Sequence, residues 1–103
     1  MGIRFDLVDP RDPAEAKAVE GQLAHLVTSA SSNDSGRLTQ AADQIEKLLK
    51  YDAHKLGDPV PPENDEHFRQ FTYDGLTVFF YAYQPFGPRR NGTAEIVGWK
   101  ACD

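Results

Sequence analysis

The sequence predicts an α+β fold in the order β-α-α-β-β-β, a twisted and mainly antiparallel sheet with a helical hairpin packed on one face. Two observations carry this. Apolar residues recur at helical spacing from Val19 to Leu49, and the period falls from 3.6 to 2 after a proline-rich break. A two-residue Asp74-Gly75 turn then sits between two alternating runs, the mark of a β-hairpin. At 103 residues the chain is about one domain, read here as residues 1–103 with a thin two-layer core.

Ile3, Phe5 and Leu7 alternate with Arg4 and Asp6, which predicts a short strand ended by Asp9-Pro10. Asp12-Pro13-Ala14-Glu15 is a helix start: Asp12 can cap free amides, Pro13 suits the first position, and Glu15 completes a capping box. Val19, Leu23, Leu26, Val27 and Ala30 form its apolar face, and Gly21 marks a candidate close crossing. Ser31 to Gly36 reads as the turn. The second helix shows Leu38, Ala41, Ala42, Ile45, Leu48 and Leu49 on one stripe, with His54 near its end and Gly57 as its stop.

Asp58 to Glu66, rich in proline and acid, reads as an exposed loop. Phe68–Tyr73 and Leu76–Gln84 are the strands of the hairpin. Pro85 to Gly92 is a longer turn with Arg89 and Arg90 at its tip, and Thr93–Trp99 is the last strand.

Eleven basic against sixteen acidic side chains leave a net charge of −5, which disfavours a protein that lives by gripping phosphate backbones. The charge is uneven. Residues 1–66 hold seven bases and thirteen acids, whereas residues 67–103 hold four bases and three acids. An anion-handling role therefore belongs to the C-terminal third, with Arg69, Arg89, Arg90 and Lys100. One cysteine, Cys102, permits no intrachain disulfide or thiolate cluster, and no signal-like or membrane-length apolar run occurs, so a cytoplasmic setting is expected.

The histidines His25, His54 and His67 have no ligand spacing, so neither a metal nor a cofactor is expected. His67 is the one placed near the basic residues and is a candidate general acid or base. Both sides of the strand from Leu76 are apolar: Leu76, Val78, Phe80 and Ala82 on one, Thr77, Phe79, Tyr81 and Tyr83 on the other. If the helices cover the first side, Phe79, Tyr81 and Tyr83 line the second, and Phe71, Tyr73 and Trp99 join them unless a bulge swaps the parity. Either loops close that second face, or it binds a partner chain, or bases stack on its aromatics, the last disfavoured by the net charge.

The run from Ala42 through Ile45, Leu48, Leu49, Tyr51 and Asp52 to Leu56-Gly57 resembles the second helix and following loop of the RelE/ParE family of bacterial toxins (plasmid-stabilisation type). Ala53 stands where that family commonly has proline. Phe68-Arg69-Gln70-Phe71 and Leu76-Thr77-Val78-Phe79-Phe80-Tyr81 are similar to the family's central hairpin, and Ile96-Val97-Gly98-Trp99-Lys100 to its last strand. The resemblance implies a toxin of a toxin–antitoxin pair, either a ribosome-dependent mRNA endoribonuclease or a gyrase poison, held by an antitoxin-like segment.

Carried over, Arg69 and Lys100 fall where basic catalytic residues are expected, with His67 beside them. Thr77 occupies the place of a strand arginine, and no tyrosine follows Lys100. The expectation is therefore a toxin-like protein that acts by protein binding through Phe71, Tyr73, Phe79, Tyr81, Tyr83, Arg89, Arg90 and Trp99. The alternatives are a metal-independent endoribonuclease using Arg69, Lys100 and His67, and a small interaction domain of other purpose. The expected partner is an antitoxin-like segment with acids near the basic residues, then gyrase or ribosome and mRNA. Self-association over the aromatic face stays open, and no membrane is involved.

Overall fold

In the computed structural model, residues 3–61, 67–85, 87–88 and 90–101 are described. The strands are β1 (Phe5–Val8), β2 (Asp58–Pro59), β3 (Phe68–Tyr73), β4 (Leu76–Tyr83) and β5 (Gly92–Ala101). The helices are α1 (Pro13–Ser29) and α2 (Ser32–Leu49), followed by a 3₁₀ turn at Ala53–Lys55. The sheet order is β1-β5-β4-β3-β2. All neighbours are antiparallel except β1, which runs parallel to β5 with Phe5 opposite Gly92 and Val8 opposite Glu95. The expected α+β architecture is thus the one observed, with one additional short strand and one parallel pair.

Local chemistry sets the helix ends. Asp12 accepts a hydrogen bond from the Ala14 amide at 2.9 Å, with Pro13 in the first turn of α1. The link to α2 is shorter than the polar run from Ser31 to Gly36 suggests. Ser31 is itself the cap, its hydroxyl accepting from the Asp34 amide at 3.3 Å, so Asn33 to Gly36 are helical. His54 lies not on α2 but in the 3₁₀ turn, because the chain leaves α2 at Lys50 and Asp52 adopts a left-handed φ of 53°. Nothing stands within 4 Å of where a Cβ on Gly21 would lie, so that glycine serves no close crossing. Part of the segment read as an exposed loop is β2, paired through Asp58 with Gln70 and Pro59 with Arg69; residues 62–66 lie outside the described ones. Proline is tolerated there because β2 is an edge strand.

The core lies between α2, α1 and one face of the sheet. Ile45, Leu49, Leu76, Val78 and Phe80 are fully buried, joined by Phe5, Val19, Leu38, Ile96 and Trp99. Two close approaches lock the strands' outer pairings. A Cβ on Gly57, at φ +67°, would overlap the Gln70 carbonyl oxygen, and one on Gly92 would strike the Phe5 ring. Asp74 (φ 48°) and Gly75 (φ 81°) make the expected tight hairpin, which sets Tyr73 opposite Leu76. Among the described residues no helix is long and apolar enough to cross a membrane.

Candidate functional site: the second face of the sheet

The pairing register defines the face turned away from the core. In β3 and β4, Phe68 stands opposite Tyr81, Gln70 opposite Phe79 and Thr72 opposite Thr77. On the far side of β4, Tyr83 meets Thr93, Tyr81 meets Glu95, Phe79 meets Gly98 and Thr77 meets Lys100. The face is thus a set of rows across the sheet: Tyr83–Thr93, then Phe68–Tyr81–Glu95, then Gln70–Phe79–Gly98, then Thr72–Thr77–Lys100. Phe68 and Tyr81 stack with ring centroids 4.8 Å apart, Tyr81 and Tyr83 lie nearly coplanar in orientation at 6.0 Å, and Phe68 meets Phe79 at 6.5 Å. His67 stacks on Tyr83 at 5.2 Å and extends the strip. Phe68, Phe79 and Tyr81 are half-buried, and Tyr83 is 41% exposed.

Helix α1 forms one wall. After β1 covers the start of β5, α1 takes its place along the rest of that edge, and the Gln22 side-chain oxygen accepts the Trp99 amide at 3.0 Å. The flank of α1 that overhangs the second face carries Glu15, Ala18, Val19 and Gln22. With Pro10, Phe68, Tyr81, Glu95 and Val97 they line an open groove of about 380 Å³. Its two carboxylates, Glu15 and Glu95, have no basic side chain among the groove's lining residues.

The sequence-predicted residues divide into those that share this face and those that do not. Phe79, Tyr81 and Tyr83 do. Phe71 and Tyr73 do not, because a two-residue turn pairs 73 with 76 and 71 with 78, putting both on the side of Leu76 and Val78. Phe71 packs against the core there, while Tyr73, 41% exposed, sits beside Gln40 and Gln44 of α2. Trp99 is also inside, 8% exposed. A bulge explains it: Phe80 pairs with Ile96 but Phe79 with Gly98, so Val97 is the extra residue and the alternation of β5 slips by one. Arg89 lies outside the described residues. Arg90 is exposed beside Asp6, Val8 and Asn91, at the end of the sheet where the Asn91 amide donates to Asp6.

The three residues considered for catalysis are not assembled. Arg69 pairs with Phe80 and Lys100 with Thr77, so they stand on opposite faces. The Arg69 guanidinium is directed at the backbone: Nε donates to the Leu56 carbonyl at 2.7 Å and Nη2 to the Gly57 carbonyl at 2.8 Å, pinning the segment before β2. His67 and Arg69 do share a small hollow with His54, Ala82 and Gln84. His67 Nδ1 is 3.2 Å from the Ala82 carbonyl, and His54 stacks on Phe5 at 5.4 Å with its buried Nδ1 lacking a hydrogen-bond partner among the described residues. No group of three or more His, Cys, Asp or Glu that could hold a metal occurs among the described residues.

Phe68, Glu95, Val97 and the flank of α1 are the groove residues that the sequence did not single out. For Phe68 the signal was present, since a two-residue turn at 74–75 fixes 68 opposite 81. For Val97 and the helix flank none was, because a bulge and a helix laid along a strand edge are tertiary events. Neither protein-family models, nor curated proteins, nor solved structures yield a match to this chain.

Proposed function

We propose that this chain is a protein-binding domain whose second sheet face receives a segment of a partner, in the manner of a RelE/ParE-like toxin held by an antitoxin-like segment and acting on its target by binding rather than by cleavage. The observation that carries this reading is the half-exposed aromatic strip of Phe68, Phe79, Tyr81 and Tyr83, walled by α1. Tyrosine and phenylalanine supply large contact area at small entropic cost and are the side chains interfaces favour. Inducing the chain in a bacterium tests it. Wild type is expected to arrest growth, and Tyr81→Ala, checked for a native circular dichroism spectrum, to lose the effect. Unimpaired growth on induction of the wild type overturns the toxin reading.

The endoribonuclease alternative draws on His67 and Arg69, which share one hollow with His54. It lacks support from Lys100, which is on the other face. Primer extension on translated mRNA from arrested cells separates the two, since cleavage sites appear only if RNA is cut. A cytoplasmic setting belongs to the same proposal, following from the single cysteine and from a target of gyrase or ribosome.

A further inference from the structure

We infer that the segment docking on the second sheet face is apolar at its centre, carries a lysine or arginine at one end, and an aspartate or glutamate at the other. This deepens the protein-binding reading and rests on it. The charge order is fixed by the rows of the face. Glu95 closes the row of Phe68 and Tyr81, and Glu15 overhangs the same groove from α1. A cation entering there meets two carboxylates and the aromatic pair Tyr81 and Phe68, a combination of ion pairing and cation–π attraction. Two rows further along, past Phe79, the exposed Lys100 presents the opposite charge. Rows on one face are two residues apart, so the acidic and basic ends are separated by roughly 13 Å, counted at about 3.3 Å per residue.

The apolar centre follows from the part of the middle row next to β5, where Phe79 is half-buried and Gly98 opposite it adds no side chain, while Gln70 lies on the far side of Phe79. That order differs from an apolar segment with acids placed against all four C-terminal bases. Of those bases Lys100 shares this face, Arg69 is on the core side, Arg90 is at the sheet end, and Arg89 is outside the described residues.

Selecting a random linear-peptide display library on the immobilised chain tests the inference, with the enriched peptides then synthesised and titrated. The expected winners hold a base and an acid separated by apolar residues, and they shift the amide resonances of Phe68, Tyr81 and Val97. Glu95→Gln is expected to weaken them about three- to fivefold, the size of one exposed ion pair with its cation–π supplement. The double exchange Glu95→Lys with Lys100→Glu is expected to enrich peptides of reversed charge order. Native amide spectra of both variants exclude a folding defect. Peptides that bind the groove without a base, or bind equally after the double exchange, overturn the charge inference and leave the protein-binding reading standing. Peptides that map elsewhere, or no enrichment, overturn both.

Discussion

Strand β4 has two faces built from alternate residues of one eight-residue run, and the two faces are different materials. Toward the helices it presents Leu76, Val78, Phe80 and Ala82, each at most 1% exposed. Away from them it presents Thr77, Phe79, Tyr81 and Tyr83, where exposure climbs along the strand to 41% at Tyr83. The inner set is aliphatic, except for Phe80, and carries no side-chain polar atom. The outer set ends in two tyrosines, rings with a hydroxyl that tolerate water on one side. Hydrophobicity alone does not distinguish these faces. The two tyrosine hydroxyls do, and they mark the end of the outer face that is left partly open to solvent.

The sharpest way to break this contrast is a pair of truncations on adjacent positions. Phe80→Ala is expected to cost about 3–5 kcal/mol in denaturant unfolding, enough to unfold much of a small domain. Tyr81→Ala should cost about 1–2 kcal/mol, since the side chain is half-buried and its loss is open to solvent. Equal costs would mean that the second face is a core of its own.

A smaller effect probes the wall between the faces. Gln22→Ala removes the acceptor of the Trp99 amide and is expected to cost about 1 kcal/mol, with faster hydrogen exchange at that one amide. Unchanged exchange would detach α1 from the edge of β5.

The smallest effect lies on the covered side, at Glu46 of α2. Partial burial, then the neighbouring Asp43, raise its carboxyl above the ordinary 4.5, with Lys50 acting against them and Asp9 with them. An acid with a raised folded-state pKa makes the folded state the better proton binder. Its contribution is therefore most favourable at or below pH 4.5 and is lost as the pH rises through the folded value. Glu46→Gln should stabilise slightly at neutral pH, and the gain should fade as unfolding is measured at progressively lower pH toward 4. A gain that is constant with pH would assign the effect to helix propensity.

What the sequence disclosed depended on how local each determinant is. Asp12-Pro13 and Asp74-Gly75 act within four residues, and both structures formed as expected. The start of α2 was obscured because Ser31 and Gly36 are both boundary residues, and only the hydrogen bond from Asp34 to Ser31 chooses between them. The parallel pairing of β1 with β5 links residues almost ninety positions apart and leaves no local mark. For the site, the alternation of β4 was enough to find Phe79, Tyr81 and Tyr83. Phe71, Tyr73 and Trp99 do not join them, because the two-residue turn sets 71 opposite 78 and 73 opposite 76, and the bulge at Val97 turns Trp99 inward.

That bulge has a consequence for how the chain tolerates change in length. Strand β5 is read in two frames, one before Val97 and one after it. Removing this single residue would leave Ile96 opposite Phe80 and Gly98 opposite Phe79, so the ladder would close into one frame with Trp99 still opposite Val78 on the inside and Lys100 still opposite Thr77 on the outside. What would be lost is the local bend and extra twist that the unpaired residue gives the strand. The final strand therefore tolerates the loss of one residue at its middle, whereas a second residue inserted beyond the bulge would turn Trp99 toward water and Lys100 toward the interior.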